Sequence, residues 1–263
     1  MSLHFHKTPA LVAYITCGDP DLATSREVVL AAIRAGAEVI ELGVPFSDPV
    51  ADGPVIQRAS ERALKAGTTL EKVLELASEV RTQAPDAGLL IFSYLNPIMR
   101  MGVEKFAQVA RDSGVDGVLV TDLPVEEAKD HVAIMRRHDL DTVFLAAPTS
   151  PDERLKAICN VSRGFVYAVS RTGVTGARQQ LADDAKELVS RIRQCTKLPV
   201  AVGFGISTPE HFREVTSFAD AAVVGSSIVQ VVEKAKRGKA AQDVHDFIAN
   251  LIGSRQQAQS TTK

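Results

Sequence analysis

Residues 10–44, ALVAYITCGDPDLATSREVVLAAIRAGAEVIELGV, decide the fold. They begin with an apolar run at 10–17, continue through the amphipathic stretch SREVVLAAIRAG, and end in a second apolar run at 38–44. Two short β-rich runs around a helical pattern indicate a strand–helix–strand unit with parallel strands. The glycine that ends the helical pattern leads almost directly into the second strand, which is typical of a helix C-terminus.

The same alternation occurs eight times along the chain. The predicted strands are 10–17, 38–44, 88–94, 117–122, 142–148, 164–170, 199–205 and 221–227. Strands that alternate with helices predict a parallel sheet, and eight units favour an α/β chain closed into a (β/α)8 TIM barrel over an open doubly wound sheet. No linker divides residues 1–263, so we expect a single domain, and the polar tail at 254–263 is expected to be disordered.

The bulk composition excludes several classes of partner. Hydrophobic residues make up 45% of the 263 residues, whereas the formal net charge of −2 provides no basic field for nucleic acid. Three scattered cysteines, Cys17, Cys159 and Cys195, form neither a disulfide framework nor a metal-binding pair. The N-terminus lacks the apolar core of a signal peptide and no apolar run reaches membrane-spanning length, so we expect a cytoplasmic protein.

Carboxylates follow the second predicted strand, at the end of a barrel where catalytic groups lie. Because side chains alternate along a strand, Glu41 shares a face with Val39 and points into the barrel while Ile40 packs outward. Loss of hydration there raises a carboxyl pKa towards the range of proton transfer, although a buried ion pair is the structural alternative. Asp52, just before Gly53 and Pro54, is either catalytic or only a helix cap.

Other polar residues at strand ends support fewer mechanisms. Asp48 is typical of a turn, while Asp19 and Asp122 also follow strands and remain candidates. No predicted strand contains a lysine, so a Schiff-base aldolase is not indicated. The six histidines fall at the N-terminus or on helices, which argues against a divalent metal site. Cys17 has no histidine placed to activate it and is more consistent with a buried structural residue.

A phosphate site is predicted after the last two strands. GFGIST at 203–208 and VVGSSIV at 223–229 each end a strand and open a helix, where glycine backbone and a helix N-terminus together bind phosphate in barrels of this kind. After the sixth strand, SRTGVTGARQQ at 170–180 is either a long mobile connection or a loop that closes over a ligand. We favour closure, which would bring Arg171 and Thr175 towards the ligand.

Seven segments together resemble the tryptophan synthase α subunit family. They are YITCGDP at 14–20, ELGVPFSDPVADGPVIQ at 41–57, NPI at 96–98, TDLP at 121–124, SRTGVTGAR at 170–178, VGFGIS at 202–207 and VVGSS at 223–227. The resemblance implies a (β/α)8 barrel that cleaves indole-3-glycerol phosphate to indole and glyceraldehyde 3-phosphate by a retro-aldol reaction.

The same resemblance assigns roles to individual positions. Glu41 corresponds to the family's acid/base residue, and Asp52 to the carboxylate that binds the indole N–H and stabilises the cationic ring. The remaining implied positions are Tyr14, Tyr167, Thr175 and Phe204 for substrate, Gly176, Gly205, Gly225 and Ser226 for phosphate, and Pro45, Asp48, Pro49, Asn96 and Pro97 for the surface that meets a partner.

That implied partner is a β subunit, in an αββα complex, which receives the indole and carries pyridoxal phosphate. The α-type chain itself is expected to bind no cofactor and no metal. The residues are also compatible with three other functions. They are a stand-alone indole-3-glycerol phosphate lyase, a phosphosugar isomerase on the same barrel, and a non-enzymatic barrel that keeps a phosphate pocket.

Overall fold

The computed structural model describes residues 3–169, 178–203 and 205–260. Within these ranges the chain alternates strands and helices as the sequence predicts. The strands are β1 (Ala10–Thr16), β2 (Val39–Gly43), β3 (Gly88–Ser93), β4 (Gly117–Val120), β5 (Asp141–Thr142), β6 (Leu145–Ala146), β7 (Val166–Val169), β8 (Val200–Gly203) and β9 (Ala221–Val224). The α-helices are α1 (Leu22–Arg34), α2 (Pro54–Lys65), α3 (Leu70–Gln83), α4 (Leu95–Met101), α5 (Val103–Asp112), α6 (Lys129–Arg137), α7 (Asp152–Val161), α8 (Arg178–Arg193), α9 (Pro209–Thr216), α10 (Ser226–Lys234) and α11 (Ala240–Ser260).

All strand pairs are parallel, in the order β5-β4-β3-β2-β1-β9-β8-β7-β6. The two outermost strands are halves of one extended segment, 141–146, which was predicted as one strand at 142–148. Its first half pairs with β4, and its second half pairs with β7. The same short segment therefore joins both ends of the sheet and closes it, which confirms the predicted (β/α)8 barrel.

Helix starts follow from local sequence. Asp21 caps α1, since its carboxylate accepts the backbone N–H of Thr24 at 2.7 Å. Thr69 and Thr208 cap α3 and α9 in the same way. Helix α2 begins instead with Pro54, whose missing N–H costs nothing in the first turn. The caps of α1 and α9 therefore fix the direction in which each helix leaves the loop that follows its strand.

Alternate side chains along the strands belong to two different apolar layers, one on each face of the sheet. Ile40 and Leu42 of β2 belong to the large layer between the sheet and the helices. Val39 belongs to a smaller layer inside the barrel, together with Val12, Leu90, Leu119, Val143, Phe165, Ala201 and Val223. Because nearly every strand contributes to this inner layer, the barrel interior is a packed core, and its functional space lies above it.

The N-terminal segment covers the lower end of the barrel. Leu3 is buried among the inner-layer residues, and Phe5 packs against Phe165 with ring centroids 5.4 Å apart. A Cβ at Gly117 would lie 2.7 Å from Leu3 Cδ1, so the glycine makes room for this side chain. Among the described residues the lower end of the barrel is therefore closed, so we expect a ligand to enter from the C-terminal ends of the strands.

The C-terminal helix extends into the polar tail. Helix α11 spans Ala240–Ser260, and the expected disorder of the tail at 254–263 stays a prediction. Alanine, glutamine and arginine in this stretch are good helix formers, and their intrinsic preference prolongs a helix that is already nucleated upstream. No helix among the described residues is long and apolar enough to cross a membrane.

Candidate active site

Glu41 projects from β2 into the barrel above its packed inner layer. The residue is 1% exposed, and its Oε1 atom has no hydrogen-bond partner among the described residues. Burial raises the pKa of Glu41 to about 8. A carboxyl group that holds its proton at neutral pH and lacks a structural partner is suited to donate and recover a proton.

Asp52 lies in the loop between β2 and α2. The cap residue of α2 is Gly53, with no side-chain hydrogen bond, so the reading of Asp52 as a helix cap is wrong. Burial raises the pKa of Asp52 to about 6, and a hydrogen bond from the Tyr94 side chain acts in the opposite direction. Asp52 therefore ionises well before Glu41 does, so the two carboxyl groups differ in charge near neutral pH.

Tyr94 is a site residue that sequence reasoning missed. It was assigned to the end of the third predicted strand, and the structure places it as the N-cap residue of α4. Its Oη accepts the N–H of Ala51 at 3.0 Å and is hydrogen-bonded to Asp52. The available signal was a polar-tipped aromatic residue at the C-terminal end of a strand, where barrels place functional groups.

A cavity of about 460 Å³ opens beside Asp52, at the C-terminal end of the barrel, and neither Glu41 nor Tyr94 is among its lining residues. Its lining includes residues 51–56, Phe92, Thr121, Leu145, Tyr167, Val169, Gly203, Gly205, Val223, Gly225, Ser226 and Gln230. Asp52 thus lies at one side, an apolar and aromatic floor lies between, and the glycine-rich ends of two strands lie at the other. This arrangement suits a ligand with a flat apolar part and a small anionic part.

Two tyrosines pack close to Glu41. Burial raises the pKa of Tyr14 and of Tyr167, and the negative charge of Glu41 contributes to both shifts. Tyr14 pairs edge-on with Phe92 at 5.0 Å between ring centroids. Tyr167 lies over Gly203, where a Cβ would come within 2.6 Å of its hydroxyl oxygen. Tyr167 lines the cavity, whereas Tyr14 lies beside it on β1 and is not among the lining residues. Both tyrosines stay neutral at physiological pH.

Three of the four predicted phosphate residues, Gly205, Gly225 and Ser226, line the opposite side of the cavity. Gly225 is the N-cap of α10 and Ser226 its first residue, so the free N–H groups of this helix are directed to the cavity end. Ser227 donates its hydroxyl to the carbonyl of Ile206 at 2.7 Å. That hydrogen bond joins the segment after β8, which carries Gly205, to the first turn of α10.

Four sequence-predicted positions cannot be compared with the structure. Arg171, Thr175, Gly176 and Phe204 lie outside the described residues.

Three further candidates have structural roles. Asp19 is ion-paired with Arg62 of α2 at 2.7 Å, and Arg62 also contacts Glu233 of α10 at 2.9 Å. Asp122 accepts the N–H of Leu95 at 2.7 Å and so holds the start of α4. Cys17 is fully buried, and burial raises the pKa of its thiol to about 12. None of the three therefore competes with Glu41 and Asp52 for the chemistry.

Three of the five residues predicted to meet a partner line one groove, whereas Pro49 lines a neighbouring pocket with Phe46 and Ser47. A groove of about 400 Å³ is lined by Pro45 of the β2–α2 loop and by Asn96 and Pro97 of α4, among others. Next to it, Val50 is 86% exposed and Met99 is 58% exposed. Asp48 is exposed at the tip of the loop and accepts the Ser47 hydroxyl at 2.6 Å. Exposed apolar side chains around a groove are typical of a protein-binding surface.

A metal centre is not evident in the described part of the chain, where no three His, Cys, Asp or Glu side chains converge as ligands. The carboxylates at the cavity are arranged instead as two separate groups with different pKa values.

Comparisons with known proteins show to which family the chain belongs. The family model described as tryptophan synthase alpha chain matches residues 2–260. The tryptophan synthase alpha chain of Solibacter usitatus is 54% identical over 86% of this chain and 84% of the relative. The solved tryptophan synthase subunit alpha of Legionella pneumophila has a TM-score of 0.87 at 33% identity, over 95% of this chain and 93% of the other. A chain of the tryptophan synthase structure from M. tuberculosis has a TM-score of 0.84 at 33% identity, over 93% and 91% of the two chains. With near-complete coverage in both sequence and structure, the chain belongs to the tryptophan synthase alpha chain family.

Proposed function

We propose that this chain cleaves indole-3-glycerol phosphate to indole and glyceraldehyde 3-phosphate, as the α subunit of a cytoplasmic tryptophan synthase. Membership of the family supports the lyase activity. The observation that carries the assignment of residues is the pair of carboxyl groups: a buried Glu41 without a hydrogen-bond partner among the described residues, and a more acidic Asp52 at the cavity wall.

The chemistry requires the two groups to differ in charge. Protonated Glu41 donates its proton to the indole ring carbon that bears the glycerol chain, and the ring becomes a cation. Ionised Asp52 accepts a hydrogen bond from the ring N–H and stabilises that cation. Glu41, now a carboxylate, takes the proton of the neighbouring hydroxyl, the carbon–carbon bond breaks, and its electrons return to the ring. Two carboxyl groups with separated pKa values divide the roles in this way in other enzymes.

The cavity provides the remaining requirements. The phosphate binds at the N-terminus of α10, where Gly225 and Ser226 supply backbone donors without a basic side chain. The indole ring lies on the apolar floor next to Phe92 and Tyr167. Every step uses protons and charges that the chain itself supplies, so the subunit needs no cofactor for this half of the reaction.

The partner is the β subunit, in an αββα assembly, and it binds at the groove between the β2–α2 loop and α4. Exposed Val50 and Met99 beside the groove support this placement. The indole released next to this surface is the substrate of the pyridoxal phosphate site that the β subunit carries.

The test is release of indole from indole-3-glycerol phosphate by the purified chain, with and without a tryptophan synthase β subunit. We expect slow turnover alone, a clear increase with the partner, and loss of activity in Glu41→Gln and Asp52→Asn. Glu210→Gln, an exposed carboxylate on α9, serves as the control and should keep normal turnover. Fast turnover without the partner would favour a stand-alone lyase, and no turnover in either state would reject the proposal.

A further inference from the structure

Tyr94 lies between the proposed catalytic carboxylate and the partner-facing groove. The residue is 3% exposed and lies between the end of β3 and the first residue of α4. Its ring stacks against Phe46 of the β2–α2 loop, with centroids 5.0 Å apart. Its hydroxyl reaches the far end of the same loop, where Ala51 and Asp52 lie.

The Tyr94 hydroxyl accepts one hydrogen bond from this loop and donates another to it. It accepts the Ala51 N–H at 3.0 Å, and its own proton is available to the Asp52 carboxylate. One phenol can do both, because it has one donor and two acceptor sites. Tyr94 therefore fixes the peptide before Asp52 and the Asp52 side chain together, which sets the direction in which the carboxylate faces the cavity.

The same contact stabilises the charged form of Asp52. Burial opposes ionisation, whereas a hydrogen bond from Tyr94 favours the anion. The other titratable groups that face this region are Tyr14 from β1 and Glu41 from β2, and neither is a cation. Without a positive group nearby among the described residues, the Tyr94 hydroxyl is the main side-chain donor that holds Asp52 ionised.

The position of Tyr94 also exposes it to events at the groove. Phe46, against which its ring packs, lines the groove together with Asn96 and Pro97, which follow Tyr94 in the chain by two and three residues. Asp122 accepts the Leu95 N–H, so the start of α4 is anchored to the end of β4 one residue from Tyr94. A ligand that moves Phe46 therefore acts on a side chain in direct contact with the Tyr94 ring.

We propose that Tyr94 is a positioning residue that couples the groove to Asp52, so that a partner seated in the groove aligns the Asp52 carboxylate through the Tyr94 hydroxyl. This inference rests on the proposed function, since it takes Asp52 as catalytic and the β subunit as the occupant of the groove. It adds a residue, and a contact, through which association raises activity.

The experiment compares the pH profiles of kcat/KM for indole release in wild type, Tyr94→Phe and Ser93→Ala, each with and without the β subunit. Tyr94→Phe keeps the ring and removes only the hydroxyl. We expect its acid limb to move to higher pH by about one unit, because Asp52 loses a donor to its anion. We also expect the stimulation by the β subunit to fall by at least half. Ser93→Ala is the matched control: it removes a neighbouring buried hydroxyl, which donates to the Tyr94 carbonyl at 2.9 Å, and should leave the acid limb in place.

If a variant is poorly active, the pKa of Asp52 can be measured without relying on turnover. In a Glu41→Gln background, the carbon-13 carboxyl resonance of Asp52 reports its titration directly, and Tyr94→Phe should raise the midpoint. An acid limb and a midpoint equal to those of wild type would overturn the coupling role. A wild-type chain that releases no indole, or an Asp52→Asn variant with full activity, would reject the proposed function and this inference with it. Full loss in Asp52→Asn with an unchanged Tyr94→Phe profile would reject the inference alone.

Discussion

Asp116 and Asp141 at the lower end of the barrel are nearly as buried as Glu41 at the upper end, yet their surroundings are opposite. Asp116 has the Arg81 guanidinium at 2.6 Å and accepts the Leu89 N–H at 2.9 Å. Asp141 lies 3.2 Å from Arg163 and accepts the Leu3 N–H at 2.7 Å. Glu41, by contrast, has a buried oxygen without any such donor among the described residues.

The difference separates two uses of the same functional group. At the lower end, a charged carboxylate joins strand ends and the N-terminal segment, and its cost of burial is offset by a cation and by backbone donors. At the upper end, the missing donors leave Glu41 protonated, which costs stability at neutral pH but provides a transferable proton. Burial alone therefore does not identify a catalytic carboxylate. A lack of hydrogen-bond donors and cations around the buried carboxylate does.

The largest expected effect is on the catalytic rate, when Glu41 at the upper end is replaced. Glu41→Gln retains the shape of the side chain but removes its proton exchange, so kcat for indole release should fall roughly 10²- to 10⁴-fold. Asp116→Asn, the matched substitution at the lower end, should leave kcat near the wild-type value in the folded fraction. Steady-state kinetics of both purified variants, with the β subunit present, decide the point. Comparable losses in the two variants would contradict the division between the two ends.

The next effect concerns stability at the lower end. Asp116→Ala leaves the Arg81 guanidinium, of which only 14% is exposed, without its carboxylate, and leaves the Leu89 N–H without an acceptor. We expect the free energy of unfolding to drop by about 3–5 kcal/mol in urea denaturation. The exposed pair of Arg213 and Glu210 is the control, since Glu210→Ala should change the free energy of unfolding far less. Similar values for the two variants would mean that the lower-end pair does little for folding.

The fold and one half of this contrast follow from sequence pattern. Eight repeats of strand and helix predict the barrel, because each unit needs its neighbours to bury both faces of its strand. Strict alternation along β2 predicts that Glu41 points inward, since Val39 and Ile40 reveal which face is which. The alternation of side chains along a strand and the number of strand–helix repeats can both be read directly from a single sequence.

The partners of each carboxylate do not follow from the sequence. Arg62 lies 43 positions from Asp19, and Tyr94 is equally far from Ala51, so each contact depends on how two loops leave neighbouring strands. The split of the fifth strand into β5 and β6 likewise depends on the closure of the barrel rather than on the residues within it. The expected closing loop at 170–177 and the expected ring contact of Phe204 lie outside the described residues, so both remain predictions.

A smaller effect should appear in the pH dependence of stability. Because the pKa of Glu41 is raised in the folded state from 4.5 to about 8, its contribution is full below pH 4.5 and is lost as the pH rises towards 8. Glu41→Gln has no such loss, so its stability relative to wild type should increase by about 2–3 kcal/mol between pH 5 and 7. Urea titrations of both proteins at several pH values measure this. A constant difference across the window would show that Glu41 is already ionised in the folded chain.

The smallest effect contrasts two glycines, one at each end. A Cβ at Gly203 would press on the Tyr167 hydroxyl, which is the free end of a side chain at the cavity, whereas a Cβ at Gly117 would lie 2.9 Å from the Asp141 carbonyl oxygen as well as close to Leu3. A ring end can move into a cavity more easily than a backbone carbonyl can move within a packed core.

Gly203→Ala should therefore cost only about 1 kcal/mol of stability and raise KM for indole-3-glycerol phosphate, while Gly117→Ala should cost about 2–3 kcal/mol and leave KM unchanged. Adding Tyr167→Phe to Gly203→Ala removes the nearest atom, so part of the lost affinity should return although Tyr167→Phe alone gains nothing. Urea denaturation and KM measured on the four variants test this together. A KM that rises equally in both alanine variants would show that the lower end of the barrel shapes the substrate pocket as directly as the upper end does.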